Sequence, residues 1–111
     1  MTIVAAHPVG DPFEAIGDGT RREILRQLSD GDKAVHEIAA ALPISRPAVS
    51  RHLKLLKNAG LVAEYADGNR RIYHLEDEGL QVVQAYLERV WGEAAVRFRL
   101  LAENTASHAP Q

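Results

Sequence analysis

Arg46, Arg51, Lys54 and Lys57 place four cations within residues 46–57, a stretch that holds no carboxylate. Wound at about 100° per residue, it turns Ser50, Lys54 and Lys57 to one side, flanked by Arg46, Pro47 and Arg51. Val49, Leu53 and Leu56 form a narrow stripe roughly opposite. Guanidinium and ammonium groups with no acid among them capture phosphate oxygens, and Arg or Ser near the start of such a helix can reach base edges in a major groove. An ordinary solvated helix face mixes both signs, and this one does not. The expected chemistry is recognition of a polyanion, with no bond made or broken.

The other reactive side chains do not assemble. His7, His36, His52, His74 and His108 are scattered, with no pair at i, i+4. A zinc site needs about four convergent ligands, or three and a water; His36 beside Glu37 is the nearest approach. His52 lies at the edge of the apolar stripe, placed to hydrogen-bond a neighbour or a phosphate. His74 alternates with Ile72 and reads as a partly exposed strand residue. Ser50 and His52, two apart on a helix, face different ways and form no relay. Glu76-Asp77-Glu78 suits the positive end of a helix dipole. Gly-rich phosphate loops, metalloprotease helices and nucleophile elbows are absent from the sequence. With no cysteine, disulfides, thiolate metal sites and thiol switches drop out. No metal, cofactor or catalytic residue is expected.

The net charge of −2 seems to oppose nucleic-acid binding, but its distribution favours it. Residues 45–73 carry six cations against Glu64 and Asp67, a balance of +4, which leaves −6 for the remainder. A basic patch on an acidic body concentrates attraction at one place.

These groups need a scaffold, and 111 residues suffice for one small domain. Residues 1–11 read as a flexible N-terminus, too short and insufficiently basic at the start for a signal peptide or membrane span. Pro12 to about Ile16 reads as a short helix. Asp18 caps a second, Gly19 to about Leu28, with Ile24, Leu25 and Leu28 inward, and Ser29-Asp30-Gly31-Asp32 breaks it. A third helix covers about Val35–Leu42 and stops at Pro43. After a tight turn, Ser45 caps the basic helix, Pro47 falls in its first turn, and Gly60 ends it with Leu56 and Leu61 in contact. Two short helices so joined are a helix-turn-helix.

Leu61–Ala66 and Arg70–Leu75 then read as strands around Asp67-Gly68-Asn69, a strong hairpin signal. Arg70 and Arg71 sit at its tip beside the basic helix, as in a winged helix-turn-helix. The fold class expected is mainly α with a small β-hairpin. Residues 77–103 form a long helix whose apolar positions recur every three or four residues, widened by Val82 and Tyr86. That face exceeds what so small a body can cover, so a second copy is expected against it. The residues assigned to that contact are Phe13, Ile16, Leu80, Val83, Leu87, Val90, Trp91, Ala94, Phe98 and Leu101. Residues 12–103 make the domain, and 104–111 read as a disordered tail.

With these residues in place, the chain resembles the ArsR/SmtB-like family of bacterial winged-helix transcriptional repressors. The likeness spans about residues 12–101. It rests on Ile-Gly-Asp-Gly-Thr-Arg-Arg-Glu-Ile-Leu at 16–25, the run from Ser45 to Val62, and Arg70-Arg71-Ile72-Tyr73-His74-Leu75. The lack of cysteine fits the cytoplasm, and the resemblance implies a homodimer whose recognition helices enter successive major grooves of an imperfect palindrome. The reading role then falls on Ser45, Arg46, Pro47, Ser50, Arg51, His52 and Lys54, and on Asn69, Arg70 and Arg71 in the wing. Phosphate contacts from Lys54, Lys57, Arg70 and Arg71 are expected to supply most of the affinity, and Arg46, Ser50 and Arg51 the discrimination.

Departures from the family pattern matter. Gly19 stands where members often have proline. Ala34-Val35-His36 replaces a Cys-Val-Cys-like metal run, and no histidine lies between Asp77 and Asn104. Metal sensing therefore does not carry over, and the sequence specifies no inducer. Two other readings stay open: a metal- or ligand-responsive repressor with a site assembled across the dimer, and a winged-helix module that binds protein instead of DNA.

Overall fold

The computed structural model describes residues 9–107. Five helices and three strands follow in the order α1 (Pro12–Ala15), α2 (Gly19–Ser29), β1 (Lys33–Ala34), α3 (Val35–Ala40), α4 (Arg46–Asn58), β2 (Val62–Asp67), β3 (Arg70–Leu75) and α5 (Glu78–Ser107). Each helix start has a local cause where a cap is formed. The Asp11 carboxylate accepts from the Phe13 N–H, Asp18 from Arg21, and the Ser45 hydroxyl from Ala48. Ala34 has no capping side chain, and Glu37 accepts its N–H instead at 2.7 Å. α3 closes at Ala40, before the expected Leu42. The N–H groups of Ala41 and Leu42 turn to carbonyls three residues back, and a residue before proline disfavours helix.

The end of α4 follows a Schellman pattern. Gly60 takes φ 74°, its N–H donates to Lys57, and Leu61 donates to the Leu56 carbonyl at 2.9 Å. That stop directs the chain into β2. The expected hairpin is present, with Asp67 paired to Arg70 across a two-residue Gly68-Asn69 turn in which only Gly68 has positive φ. A third strand joins it: β1 pairs antiparallel with β3 through Lys33–Tyr73 and Ala34–Ile72, giving the order β1-β3-β2. Two residues carry too little pattern to announce a strand. This one ties the start of α3 to the wing.

Ile24, Ile38, Val49, Leu53, Leu56 and Val62 are the largest fully buried side chains, so α2, α3, α4 and β2 share one core. α5 stands apart from it. Among its described side chains, Val83 is the buried apolar one, at 8% exposure, while Leu87, Val90, Trp91, Phe98 and Leu101 range from 45% to 75%. The radius of gyration, 18.5 Å, exceeds the about 13 Å of a compact chain this long, as a protruding helix requires.

Of the expected contact residues, Val83 is largely buried within the protomer and Ile16 packs partly against the chain's own core, while both still border an open groove. The helical period gives an apolar face but not how much of it the same chain covers. α5 also runs to Ser107, past the expected end at 103, so the first part of the expected tail is helical. Residues 1–8 and 108–111, where the rest of both expected termini fall, lie outside the described residues.

Candidate nucleic-acid interface

α4 buries Val49, Leu53 and Leu56 and leaves Arg46, Pro47, Ser50, Arg51, Lys54 and Lys57 exposed, with the capping Ser45 also at the surface. Beside its first turns lies an open groove of about 410 Å³. Arg46, Pro47 and Ser50 form one wall, and Asn69, Arg70 and Arg71 of the wing form the other. Six of the sequence-derived candidates are brought together here. Arg51, Lys54 and Lys57 continue along the exposed helix outside the groove. His36, considered from sequence only as a metal seed, also lines the groove, because β1 holds the start of α3 against the wing. Its position at the head of the helix before the turn was the available signal.

Carboxylates from other elements reach several of these cations. Lys57 Nζ lies 2.8 Å from Glu64 Oε1, and Arg71 donates to the same oxygen at 3.1 Å. Arg70 pairs with Glu37 Oε1 at 3.2 Å. Among the described residues, Arg46, Arg51 and Lys54 make no ion pair within 4.0 Å. Of the four cations expected to bind phosphate, Lys54, Lys57, Arg70 and Arg71, the last three already pair with a carboxylate that a phosphate has to displace or share.

The titration behaviour follows this geometry. The Lys57 ammonium, then the Tyr73 hydroxyl, hold the Glu64 carboxyl below the usual range. Tyr73 is pushed up to about 12, chiefly by desolvation and next by its hydrogen bond to Glu64. The Ala34 N–H, with help from Arg70, lowers Glu37. Both carboxylates are charged at neutral pH.

His52 is half-buried, and its Nδ1 faces the Arg21 guanidinium at 3.2 Å. Its contact is with α2, the neighbour alternative of the two expected. Among the described residues, no group of three or more His, Asp or Glu could hold a metal ion. No helix there is long and apolar enough to cross a membrane.

A short helix, a tight turn, an exposed cationic helix and a basic hairpin bordering the same groove define a winged helix-turn-helix DNA-binding protein. The profile described as "Bacterial regulatory protein, arsR family" matches residues 18–64. The chain is 45% identical over 92 residues to the HTH-type transcriptional regulator Rv2034 of Mycobacterium tuberculosis, covering 83% of this chain and 86% of that one. It is 41% identical over 69 residues to the transcriptional repressor SdpR of Bacillus subtilis, covering 62% of this chain and 77% of that one. A solved structure of the homodimeric winged helix-turn-helix DNA-binding domain Mb0332 from Mycobacterium bovis, a possible ArsR-family regulator, superposes with a TM-score of 0.59 at 32% identity. That match covers 74% of this chain and 76% of that one. The chain belongs to the ArsR family of bacterial transcriptional regulators.

Proposed function

We propose that this regulator is a cytoplasmic homodimer that represses transcription by occupying a short, imperfectly palindromic operator. The observation that carries the reading is the groove in which Arg46 and Ser50 of α4 face Asn69, Arg70 and Arg71 of the wing. Two copies of that groove related by a two-fold axis suit half-sites about one helical turn apart. Arg46, Ser50 and Arg51 read base edges, Lys54 binds backbone phosphate, and the paired cations Lys57, Arg70 and Arg71 adjust how tightly the backbone is held.

The second copy covers α5. Leu80, Leu87, Val90, Trp91, Phe98 and Leu101 expose apolar surface along the helix. A mainly apolar groove of about 560 Å³, lined by Ile16, Leu25, Leu61, Leu75, Leu80 and Val83 with Glu76 and Asp77 beside them, extends it onto the body. So large an apolar patch on a soluble chain calls for a partner, and the homodimeric Mb0332 domain supports a second copy in that role. SdpR supports repression as the outcome.

Selection of bound fragments from bacterial genomic DNA, with footprinting of the strongest, tests the proposal. The expected result is an inverted repeat protected on one face of the duplex, bound by two chains. Binding with no sequence preference, or by a single chain, would overturn it.

A further inference from the structure

We propose that Arg21 is a positioning residue that transmits the state of the α1–α5 face to the operator-reading helix. The inference rests on the operator-binding reading above. From α2, the Arg21 side chain meets two other elements at once. Its Nε donates to the Ala15 carbonyl at 2.9 Å and its second terminal nitrogen to the Glu14 carbonyl at 3.3 Å, both at the end of α1. Its first terminal nitrogen lies 3.2 Å from Nδ1 of His52 on α4. A guanidinium has only donors, so Nδ1 is the acceptor and a neutral His52 carries its proton on Nε2.

Each end of this bridge leads somewhere. α1 is a four-residue helix; its Glu14 carbonyl already accepts the Gly17 N–H at 3.0 Å, and Arg21 adds a second donor there and supplies one to the Ala15 carbonyl. Phe13 of α1 packs edge-on against Tyr86 of α5, with ring centroids 5.1 Å apart. His52 directly follows Arg51 on α4, on the flank turned toward α2. A shift of α1 against α5 moves the Glu14 and Ala15 carbonyls, withdraws or reorients the planar guanidinium, and frees His52. α4 then loses a restraint on its rotation, while the cations on its outer face keep their charge. Arg21 touches no base or phosphate in this scheme.

The test compares Arg21→Gln, Arg21→Lys, Phe13→Ala and the double variant Phe13→Ala/Arg21→Gln. Operator and random-duplex affinities, salt slope and Tm are measured at concentrations where every variant is dimeric. Arg21→Gln should weaken operator binding by about tenfold, with random-duplex affinity and salt slope unchanged. Arg21→Lys, which keeps the charge and one or two of the bonds, should fall between it and the parent. Phe13→Ala should weaken operator binding too, and the double variant should bind no worse than Arg21→Gln. Normal operator binding by Arg21→Gln, equal losses on both duplexes, or additive losses in the double variant would each overturn the proposal. A second readout is the 15N spectrum of the His52 imidazole, which Phe13→Ala should perturb in the parent and leave alone in the Arg21→Gln background. If the parent itself shows no operator preference, the operator reading fails, and this spectrum alone decides the Arg21 link.

Discussion

Replacing Glu64 by Gln should make this protein bind DNA more tightly and less selectively. Glu64 sits opposite Tyr73 in the β2–β3 register and is shielded, its side chain only 16% exposed. One oxygen accepts from Lys57 at 2.8 Å and from Arg71 at 3.1 Å. Two cations therefore present a net charge of +1 to an approaching phosphate backbone. Glutamine keeps an acceptor for Tyr73 and removes the charge, raising that balance to +2.

Each additional phosphate neutralised steepens the salt dependence by about 0.9 in log K against log salt. One extra effective charge then means an affinity advantage that changes about 3.5-fold between 50 and 200 mM salt. Loss of two partly exposed ion pairs should lower folding stability by about 1 kcal/mol. Fluorescence anisotropy on operator and random duplexes across a salt series measures the slope, and thermal unfolding measures the cost. Lys54→Ala, which removes a cation with no ion pair, is the reference and should flatten the slope by about 0.9. A Glu64→Gln slope equal to or shallower than the parent's would refute the reasoning and make Glu64 an organiser of the two cations for phosphate.

Other expectations follow from the same contacts. Leu87→Asp on the exposed face of α5 should weaken self-association by about 30- to 100-fold, read by analytical ultracentrifugation, because a charge replaces an apolar anchor. Gly79→Ala should destabilise the fold by about 2 kcal/mol, measured in urea: its N–H donates to Gly60 at 2.7 Å, and an added Cβ would press on the Ala59 carbonyl, 3.0 Å from the Gly60 carbonyl carbon. Tyr73 should ionise near pH 12 in a spectrophotometric titration, against an ordinary value of 10.0. Because folding raises its pKa, the stability tied to its neutral form is complete below pH 10 and lost as pH rises toward 12. Tyr73→Phe should remove that alkaline component. Glu64 and Glu37 act in the opposite sense: folding lowers both, so their stabilisation holds at neutral pH and disappears as acid protonates them below their ordinary 4.5.

The ends and the two faces of α4 were legible in the sequence because their determinants are local. Ser45 and Gly60 bound α4 through backbone groups only three to five residues away, and the 3.6-residue period separates Val49, Leu53 and Leu56 from the cations. The β2–β3 hairpin and the apolar period of α5 depend on equally short ranges. What the cations are paired with was not legible. Glu64 lies seven residues from Lys57 and from Arg71, Glu37 lies 33 from Arg70, and His52 lies 31 from Arg21. A charge count over a segment sees that acids exist but not which carboxylate the chain's path brings within 3 Å of which cation. β1, the burial of Val83 and the contact that requires Gly79 to be glycine likewise arise where distant segments meet. Local periodicity and capping determined which side chains α4 exposes; tertiary packing decided which of its charges are free, because ion pairing depends on distance through space and not along the chain.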